Sequence, residues 1–168
     1  MSSDIRILVD PQISPKLIIE LEKPLMDIFP FDSVDLRKDI QVPSSCWNAS
    51  RHQFNANCLL TFATSLFPAG IVVLLISKDA YVQELNFVFG IASKGIGAVV
   101  STYRLENDPE FVKKEIIHEL GHVFGLSHCS LPCVMTFSNS VWEARLKSVT
   151  FCEKCRKEMN SYITKSKI

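Results

Sequence analysis

Apolar runs and amphipathic stretches alternate along the chain, and their order predicts an α/β fold. Residues 71–76 are continuously apolar, which is typical of a parallel strand that is covered on both faces. A shorter run at 5–9 predicts another buried strand. We expect further strands at 33–36 and 98–103, and an edge strand at 86–92, where apolar and polar residues alternate in part.

Four helices are predicted by apolar positions that recur at helical spacing. The first spans about 15–28 and the second about 51–67. The third begins after Asp108, with the aspartate at the N-cap and Pro109 at the first helical position. A terminal helix is expected over about 153–165. The order of strands and helices is that of a layered α/β domain with a mixed sheet.

The third predicted helix carries the pattern H-E-x-x-H-x-x-G-x-x-H, formed by His118, Glu119, His122, Gly125 and His128. Residues four apart lie on one face of a helix, so the first two histidines can bind one zinc ion. Glu119 is rotated round the helix and can reach the water that the metal activates, as a general base must. Gly125 suits the end of the helix, because glycine takes the left-handed conformation at little cost. His128 can then return as a third ligand, which leaves the open fourth position of a catalytic zinc site.

A buried helix with hydrogen-bonded histidines is the alternative interpretation of this segment. The helix has a broad apolar arc, which predicts that one side packs into a core while the two histidines face a cleft. A lone histidine would favour the structural alternative. Here a glutamate, a glycine and a third histidine stand in register with the first two. Because three of the four histidines of the chain lie in this one pattern, the catalytic metal site is favoured.

Four of the six cysteines cluster in the last third of the chain: Cys129, Cys133, Cys152 and Cys155. A C-x3-C pair followed by a C-x-x-C pair is the usual layout of a zinc site with four thiolate ligands, and the alternatives are two disulfides or free thiols. Cys46 and Cys58 stand apart and are expected to be buried or idle thiols without a role. Nearby basic residues would either offset the charge of the thiolates or form a solvated face: Arg145, Lys147, Lys154, Arg156 and Lys157.

Length and charge exclude several classes of protein. A chain of 168 residues fits one domain that can bury a sizeable core. Its 18 basic and 18 acidic residues give a formal net charge of zero, which argues against nucleic-acid binding, since that would need a basic excess. The first ten residues hold no apolar run typical of an export signal, and no stretch is apolar for long enough to span a bilayer. We expect a cytoplasmic monomer without nucleic-acid or membrane partners.

The histidine motif and the residues after it resemble the archaemetzincins, a family of zinc peptidases in the metzincin clan. The shared features are the long motif, the cysteine pair, Met135 and the downstream C-x-x-C pair, and the resemblance is specific over residues 118–155. In the metzincins a methionine lies in a turn beneath the metal, so Met135 is expected to form a hydrophobic floor. The chain has three residues between Cys129 and Cys133 where the family pattern has four, which predicts a slightly different loop at the second metal.

The resemblance also implies an arrangement for the whole chain as a single metallopeptidase domain. It implies a twisted, mixed and mostly parallel sheet with one antiparallel edge strand and two long helices behind it. Residues 1–125 would form an upper subdomain with the sheet and the active-site helix. Residues 126–168 would form a small lower subdomain that is held together by the cysteine-bound zinc and ends in a helix.

The function expected on these grounds is hydrolysis of peptide or protein substrates by an enzyme with two zinc ions, one catalytic and one structural. The three motif histidines would hold the catalytic ion, Glu119 would act as the general base, and the four clustered cysteines would hold the structural ion. The main alternative is a zinc-stabilised binding or regulatory module with little or no turnover. Glu119 argues against it, because a pure binding site does not need a base beside its ligands. Hydrolysis of a non-peptide amide is a third interpretation.

Overall fold

Two sheets and five α-helices make up the computed structural model, which describes residues 4–166. The strands are β1 (Asp4–Val9), β2 (Ser33–Arg37), β3 (Trp47–Asn48), β4 (Gln53–Asn55), β5 (Ile71–Ile76), β6 (Ala80–Tyr81), β7 (Gly90–Ser93) and β8 (Gly97–Ser101). The helices are α1 (Glu22–Ile28), α2 (Ala56–Leu66), α3 (Pro109–Val123), α4 (Val141–Leu146) and α5 (Glu153–Ser166).

The larger sheet has the strand order β2-β1-β5-β8-β7, and β3, β4 and β6 form the smaller one. In the larger sheet the first four strands are parallel, and β7 at the edge pairs antiparallel with β8. The predicted α/β fold with a mixed, mostly parallel sheet and one antiparallel edge strand is therefore confirmed. The edge strand itself starts at Gly90, later than the predicted start at residue 86.

Strand β5 lies in the middle of the larger sheet and is buried along its whole length. Successive side chains point to opposite faces of a sheet. Val73 and Leu75 pack into the core shared with α3, whereas Val72 and Leu74 pack towards α2. The continuously apolar sequence of β5 thus reflects cover on both faces. It also follows that the two long helices lie on opposite faces of the sheet, so the expectation that both lie behind it was wrong.

Two of the predicted helices differ from those observed. The first is split into a 3-10 turn at Pro15–Leu17 and the helix α1, and Pro24 explains the break. Proline has no N–H to donate to the carbonyl four residues earlier and its ring clashes there, so a helix tolerates it only in the first turn. Helix α2 begins at Ala56 instead of near residue 51, because the preceding residues form β4 and the Asn55 side chain caps the helix by accepting from the Cys58 N–H at 3.1 Å.

A disulfide joins Cys46 to Cys58, so the expectation of two thiols without a role was wrong. The bridge ties the 3-10 turn Ser44–Cys46 to the first turn of α2, and it closes a loop that contains β3 and β4. Both cysteines pack with the apolar cluster between α2 and the sheet. This pairing could not be predicted from the sequence, because connectivity is set by which cysteines the fold brings together.

The core on the α3 side of the sheet runs without interruption from residues before Gly125 to residues after it. It contains Val123 and Phe124 together with Val134, Phe151 and other apolar side chains of the last third of the chain. The division into subdomains 1–125 and 126–168 stays a prediction. Within residues 4–166, no helix combines the length and the apolar character needed to cross a membrane. The expectation about an export signal falls in part on residues 1–3, which lie outside the described residues.

The disulfide can be tested by counting thiols in unfolded, metal-free protein. Without a reductant, a thiol reagent should label four cysteines, because Cys129, Cys133, Cys152 and Cys155 are free while the other two are bridged. After reduction all six should react. The variant Cys46→Ser should show five reactive thiols with or without reductant, since Cys58 loses its partner. Six reactive thiols in the unreduced parent protein would show that the bridge does not form.

Candidate active site and second metal centre

The three motif histidines converge on one point. His122 Nε2 lies 3.2 Å from the Nε2 atoms of both His118 and His128. Nitrogen ligands about 2.0–2.1 Å from a tetrahedral zinc ion lie roughly 3.3–3.4 Å from one another. The observed spacing therefore suits three ligands of one ion.

Hydrogen bonds hold two of these rings in the orientation that a metal ligand needs. Nδ1 of His118 donates to the Val134 carbonyl at 2.8 Å, and Nδ1 of His122 donates to the Leu126 carbonyl at 2.7 Å. A carbonyl oxygen only accepts, so each proton lies on Nδ1 and the lone pair of Nε2 faces the shared point. Burial lowers the pKa of His118 to about 4 and also lowers the pKa of His128. The rings of His118 and His128 are therefore neutral near pH 7, as metal-binding histidines must be.

The end of α3 explains how a continuous stretch of chain places all three rings. The helix starts at Pro109, where the Asp108 side chain accepts from the Glu110 N–H at 2.9 Å, as predicted. At its other end Gly125 has a φ of 86°, a conformation that glycine adopts at little cost. The N–H groups of Gly125 and Leu126 donate back to the backbone carbonyls of His122 and Gly121, at 2.9 Å each. This turn brings the Leu126 carbonyl beneath His122 and leads the chain on towards His128.

Met135 packs directly against α3 at Gly121, the residue before His122. Its side chain is fully buried, and a methyl group placed on Gly121 would lie 2.3 Å from its sulfur. Any larger residue at position 121 would therefore force the methionine or the helix to move. Sequence reasoning missed Gly121, although a glycine within a helix always calls for a packing explanation.

Glu119 is buried beside the histidines, against the first residue of the edge strand. It is 4% exposed, and a methyl group on Gly90 would lie 2.8 Å from its Oε1 atom. Burial, together with the charge and hydrogen bond of the neighbouring Glu115, raises the pKa of Glu119 well above its usual value. A carboxyl group with a raised pKa holds a proton more readily, which suits a group that must accept one and pass it on.

A buried ion pair lies behind Glu119, and the sequence did not reveal it. Lys147 Nζ lies 3.1 Å from Oε2 of Glu115, and the two side chains are only 2% and 6% exposed. Burial raises the pKa of Glu115, but the charge and hydrogen bond of Lys147 outweigh it, so the pKa is lowered. Glu115 precedes Glu119 by four residues and so shares its face of α3, which is the signal that could have suggested their contact.

The position of Lys147 differs from both expectations for the nearby basic residues, since it contacts neither solvent nor the thiolates. Three of the others form ion pairs with acidic side chains: Arg145 with Glu106, Lys154 with Glu158, and Lys157 with Glu153. The fourth, Arg156, donates to the Phe151 carbonyl at 3.3 Å.

The four clustered cysteines form a second candidate metal centre. Their sulfur atoms all lie within 4.8 Å of one another, and Cys129 Sγ lies 3.8 Å from Cys152 Sγ. Sulfur ligands about 2.3 Å from a tetrahedral zinc ion lie roughly 3.8 Å apart. All four are free thiols in the structure, so the alternative of two disulfides among them is not observed.

The environments of the four thiols differ. The Cys155 N–H donates to Cys152 at the start of α5 and lowers the pKa of the Cys152 thiol to about 7, as helix N-termini commonly do. Burial raises the pKa of Cys133 and Cys155. Cys133 Sγ accepts from the N–H groups of Cys152 at 3.2 Å and Met135 at 3.5 Å. Such hydrogen bonds stabilise negative charge on sulfur, which favours binding of a cation.

A cleft of about 840 Å³ runs between the edge strand and the metal-binding region. Residues of β7 and the segment before it form one wall, the histidines form the floor, and Phe137, Ser138 and Asn139 form part of the other wall. The Phe137 ring lies 4.9 Å from the ring of His128, centroid to centroid. The free edge of β7 therefore borders the space above the histidines.

Three converging histidines and a buried glutamate below the antiparallel edge of an α/β sheet define a zinc metallopeptidase. Comparison with known proteins identifies which one. A model of peptidase family M54 matches residues 48–161, and the chain belongs to this family, the archaemetzincins.

Individual relatives support the assignment over most of the chain. The archaemetzincin of Nanoarchaeum equitans is 47% identical over 122 residues, which cover 73% of this chain and 71% of that protein. The crystal structure of the Archaeoglobus fulgidus archaemetzincin, complexed with malonate, is 38% identical with a TM-score of 0.83, covering 92% of this chain and 99% of that one. The Methanopyrus kandleri archaemetzincin structure is 32% identical with a TM-score of 0.88, covering 97% and 96%.

The buried ion pair generates a prediction about stability. Lys147→Met should lower the free energy of unfolding of the zinc-loaded protein by about 3–5 kcal/mol, because it leaves the Glu115 carboxylate buried without its partner. The double variant Glu115→Gln/Lys147→Met should recover most of this loss, since neither charge remains. Urea unfolding of both variants measures the difference. Equal losses in the two would show that packing, rather than charge, sets the cost.

Proposed function

We propose that the protein hydrolyses peptide bonds in peptide or protein substrates, with Glu119 as the general base. The observation that supports this most strongly is the convergence of three imidazole nitrogens beside a buried glutamate, with Nε2 of His122 at 3.2 Å from Nε2 of each of the other two histidines. Three protein ligands and an open fourth position are the pattern of catalytic zinc sites. The cleft above them is bounded by a free strand edge, to which an extended peptide can add by main-chain hydrogen bonds.

Each residue of the site has a separate role in the proposed reaction. His118, His122 and His128 provide the three nitrogen ligands, and the Val134 and Leu126 carbonyls keep two of the rings aligned. When bound, zinc supplies a Lewis acid that makes water more acidic and polarises the peptide carbonyl. Glu119 takes a proton from the attacking water and returns it to the leaving amine.

The four clustered cysteines are proposed to hold a second, structural zinc ion. The 3.8 Å spacing of two sulfurs and the mutual closeness of all four support this. With both sites filled the protein would bind two zinc ions. Met135 would then lie between the two sites as a hydrophobic floor, and Gly125 would direct the chain from one to the other.

The alternative of a binding or regulatory module with little turnover is not favoured by membership of a peptidase family. The cytoplasmic location, the monomeric state and the absence of nucleic-acid and membrane partners stay predictions.

The general base can be tested with Glu119→Ala. The variant should keep both zinc ions, because Glu119 is not among the proposed ligands, and its rate of peptide cleavage should fall by about 100-fold or more. Cleavage of a mixed peptide library, followed by mass spectrometry, measures the rate, and elemental analysis measures the zinc. His122→Ala serves as the comparison, since it should lose catalytic zinc and cleavage together. Cleavage at the parent rate by zinc-loaded Glu119→Ala would remove the proposed mechanism.

The two metal sites should differ in what their loss does to the protein. A structural zinc site supplies about 10 kcal/mol or more of binding free energy, against a total stability of about 5–15 kcal/mol for a typical domain. Cys152→Ser should therefore lower the melting temperature strongly and also abolish catalytic zinc binding, because Cys129 is joined directly to His128. His122→Ala should lose the catalytic zinc but keep the cysteine-bound zinc and most of the stability. The reverse ranking in calorimetry and metal analysis would show that the two roles are misassigned.

A further inference from the structure

The cleft presents one formal charge to solvent among the residues that the structure describes. Four formally charged side chains line it: Lys94, Glu115, Glu119 and Lys147. The last three are buried, and Glu115 and Lys147 neutralise each other. Lys94 is exposed. A ligand that enters the cleft from solvent therefore meets a single accessible charge of the protein itself, and it is positive.

Lys94 is held in place without being neutralised. It lies in the turn between β7 and β8, where the Gly95 N–H donates to the Val123 carbonyl at 2.8 Å and so ties the turn to the end of α3. The Lys94 ammonium lies 4.7 Å from the centre of the Tyr162 ring. It also lies 3.4 Å from where a methyl group on Gly125 would be. Within residues 4–166 no acidic side chain forms an ion pair with it.

The geometry of the edge strand gives the distance from Lys94 to the reacting bond. Gly90, the first residue of β7, contacts Glu119, and Lys94 directly follows the last residue of the strand. A strand rises about 3.3 Å per residue, so the two positions are roughly 13 Å apart. A peptide added to this edge with its scissile bond beside Glu119 would bring a residue three or four positions away to Lys94.

We propose that Lys94 selects substrates with a carboxylate three or four residues from the scissile bond. The inference rests on the proposed peptide hydrolysis and adds a preference to it. An ammonium group recognises a carboxylate by charge and by up to three N–H donors. The carboxylate can come from an aspartate or glutamate side chain, or from the free C-terminus of the substrate. An exposed ion pair of this kind changes binding by about two- to fivefold, and salt weakens it.

The test uses zinc-loaded full-length protein and acetylated decapeptide libraries. Each library has Asp, Asn or Lys fixed at one position and mixed residues elsewhere, and each is made with a C-terminal acid and with a C-terminal amide. Mass spectrometry of the products gives the rate and the position of cleavage. Asp should be preferred over Asn about two- to fivefold at three or four residues from the cut. Faster cleavage of the peptides with a C-terminal acid than of those with a C-terminal amide, at that distance from the cut, would instead identify the free C-terminus as the carboxylate that Lys94 binds.

Charge reversal provides the control. Lys94→Glu should reverse the preference, so that Lys is favoured over Asn at the same position. Lys38→Glu makes the same change just after β2, at the opposite edge of the sheet, and should leave the preference unaltered. Binding of the same libraries to zinc-loaded Glu119→Ala, measured by competition with one fluorescent member, reports the preference without turnover.

The outcomes separate the two proposals. If the parent cleaves peptides with equal rates for Asp, Asn and Lys and for acid and amide, or if Lys94→Glu keeps the parent's preference, the role of Lys94 is refuted while peptide hydrolysis stands. If nothing is cleaved but carboxylate-dependent binding reverses in Lys94→Glu/Glu119→Ala, hydrolysis is refuted and the carboxylate site stands. If peptides neither bind nor are cleaved, both are refuted.

Discussion

The three-residue segment from Cys133 to Met135 contacts both candidate metal centres. The Val134 carbonyl accepts from His118, while the Val134 N–H donates to the Thr150 carbonyl at 2.9 Å. Cys133 contributes one of the four clustered sulfurs. Met135 packs beneath α3, and its carbonyl accepts from the Cys129 N–H at 3.0 Å. Because these groups are consecutive in the chain, the two candidate metal centres share one short segment of backbone.

The candidate active site also buries three ionisable side chains close together. Glu115, Glu119 and Lys147 are all nearly inaccessible to solvent, and taking charges out of water costs several kcal/mol per group unless each is paired. Lys147 is paired with Glu115, and Glu115 adjoins Glu119. The environment of the proposed base is therefore fixed by a residue 28 positions further along the chain. A substitution that removes the charge of Lys147 would therefore also change the pKa of Glu119.

The parts of this structure that sequence predicted well are those whose causes are local. The motif helix followed from the Asp108 cap, the Pro109 start and helical spacing, and the buried strand β5 followed from a continuous apolar run. The parts that failed depend on which distant residues meet. Cys46 pairs with Cys58, Lys147 pairs with Glu115, and α2 covers the opposite face of the sheet from α3. A single sequence does not show which distant residues come into contact, because each such contact follows from the packing of the whole chain.

The two edges of the larger sheet differ in how well they resist pairing with another molecule. Along β2, Asp35 forms ion pairs with Arg6 and Arg37, and charged side chains at an edge discourage intermolecular strand pairing. Strand β7 has the sequence Gly-Ile-Ala-Ser and carries no charge. An extended peptide could therefore pair with this edge, but so could a strand of another protein molecule. Its four-residue length is then its main protection against self-association. At high protein concentration, aggregation that begins at a sheet edge should therefore start at β7 and be slowed by any ligand that occupies the cleft.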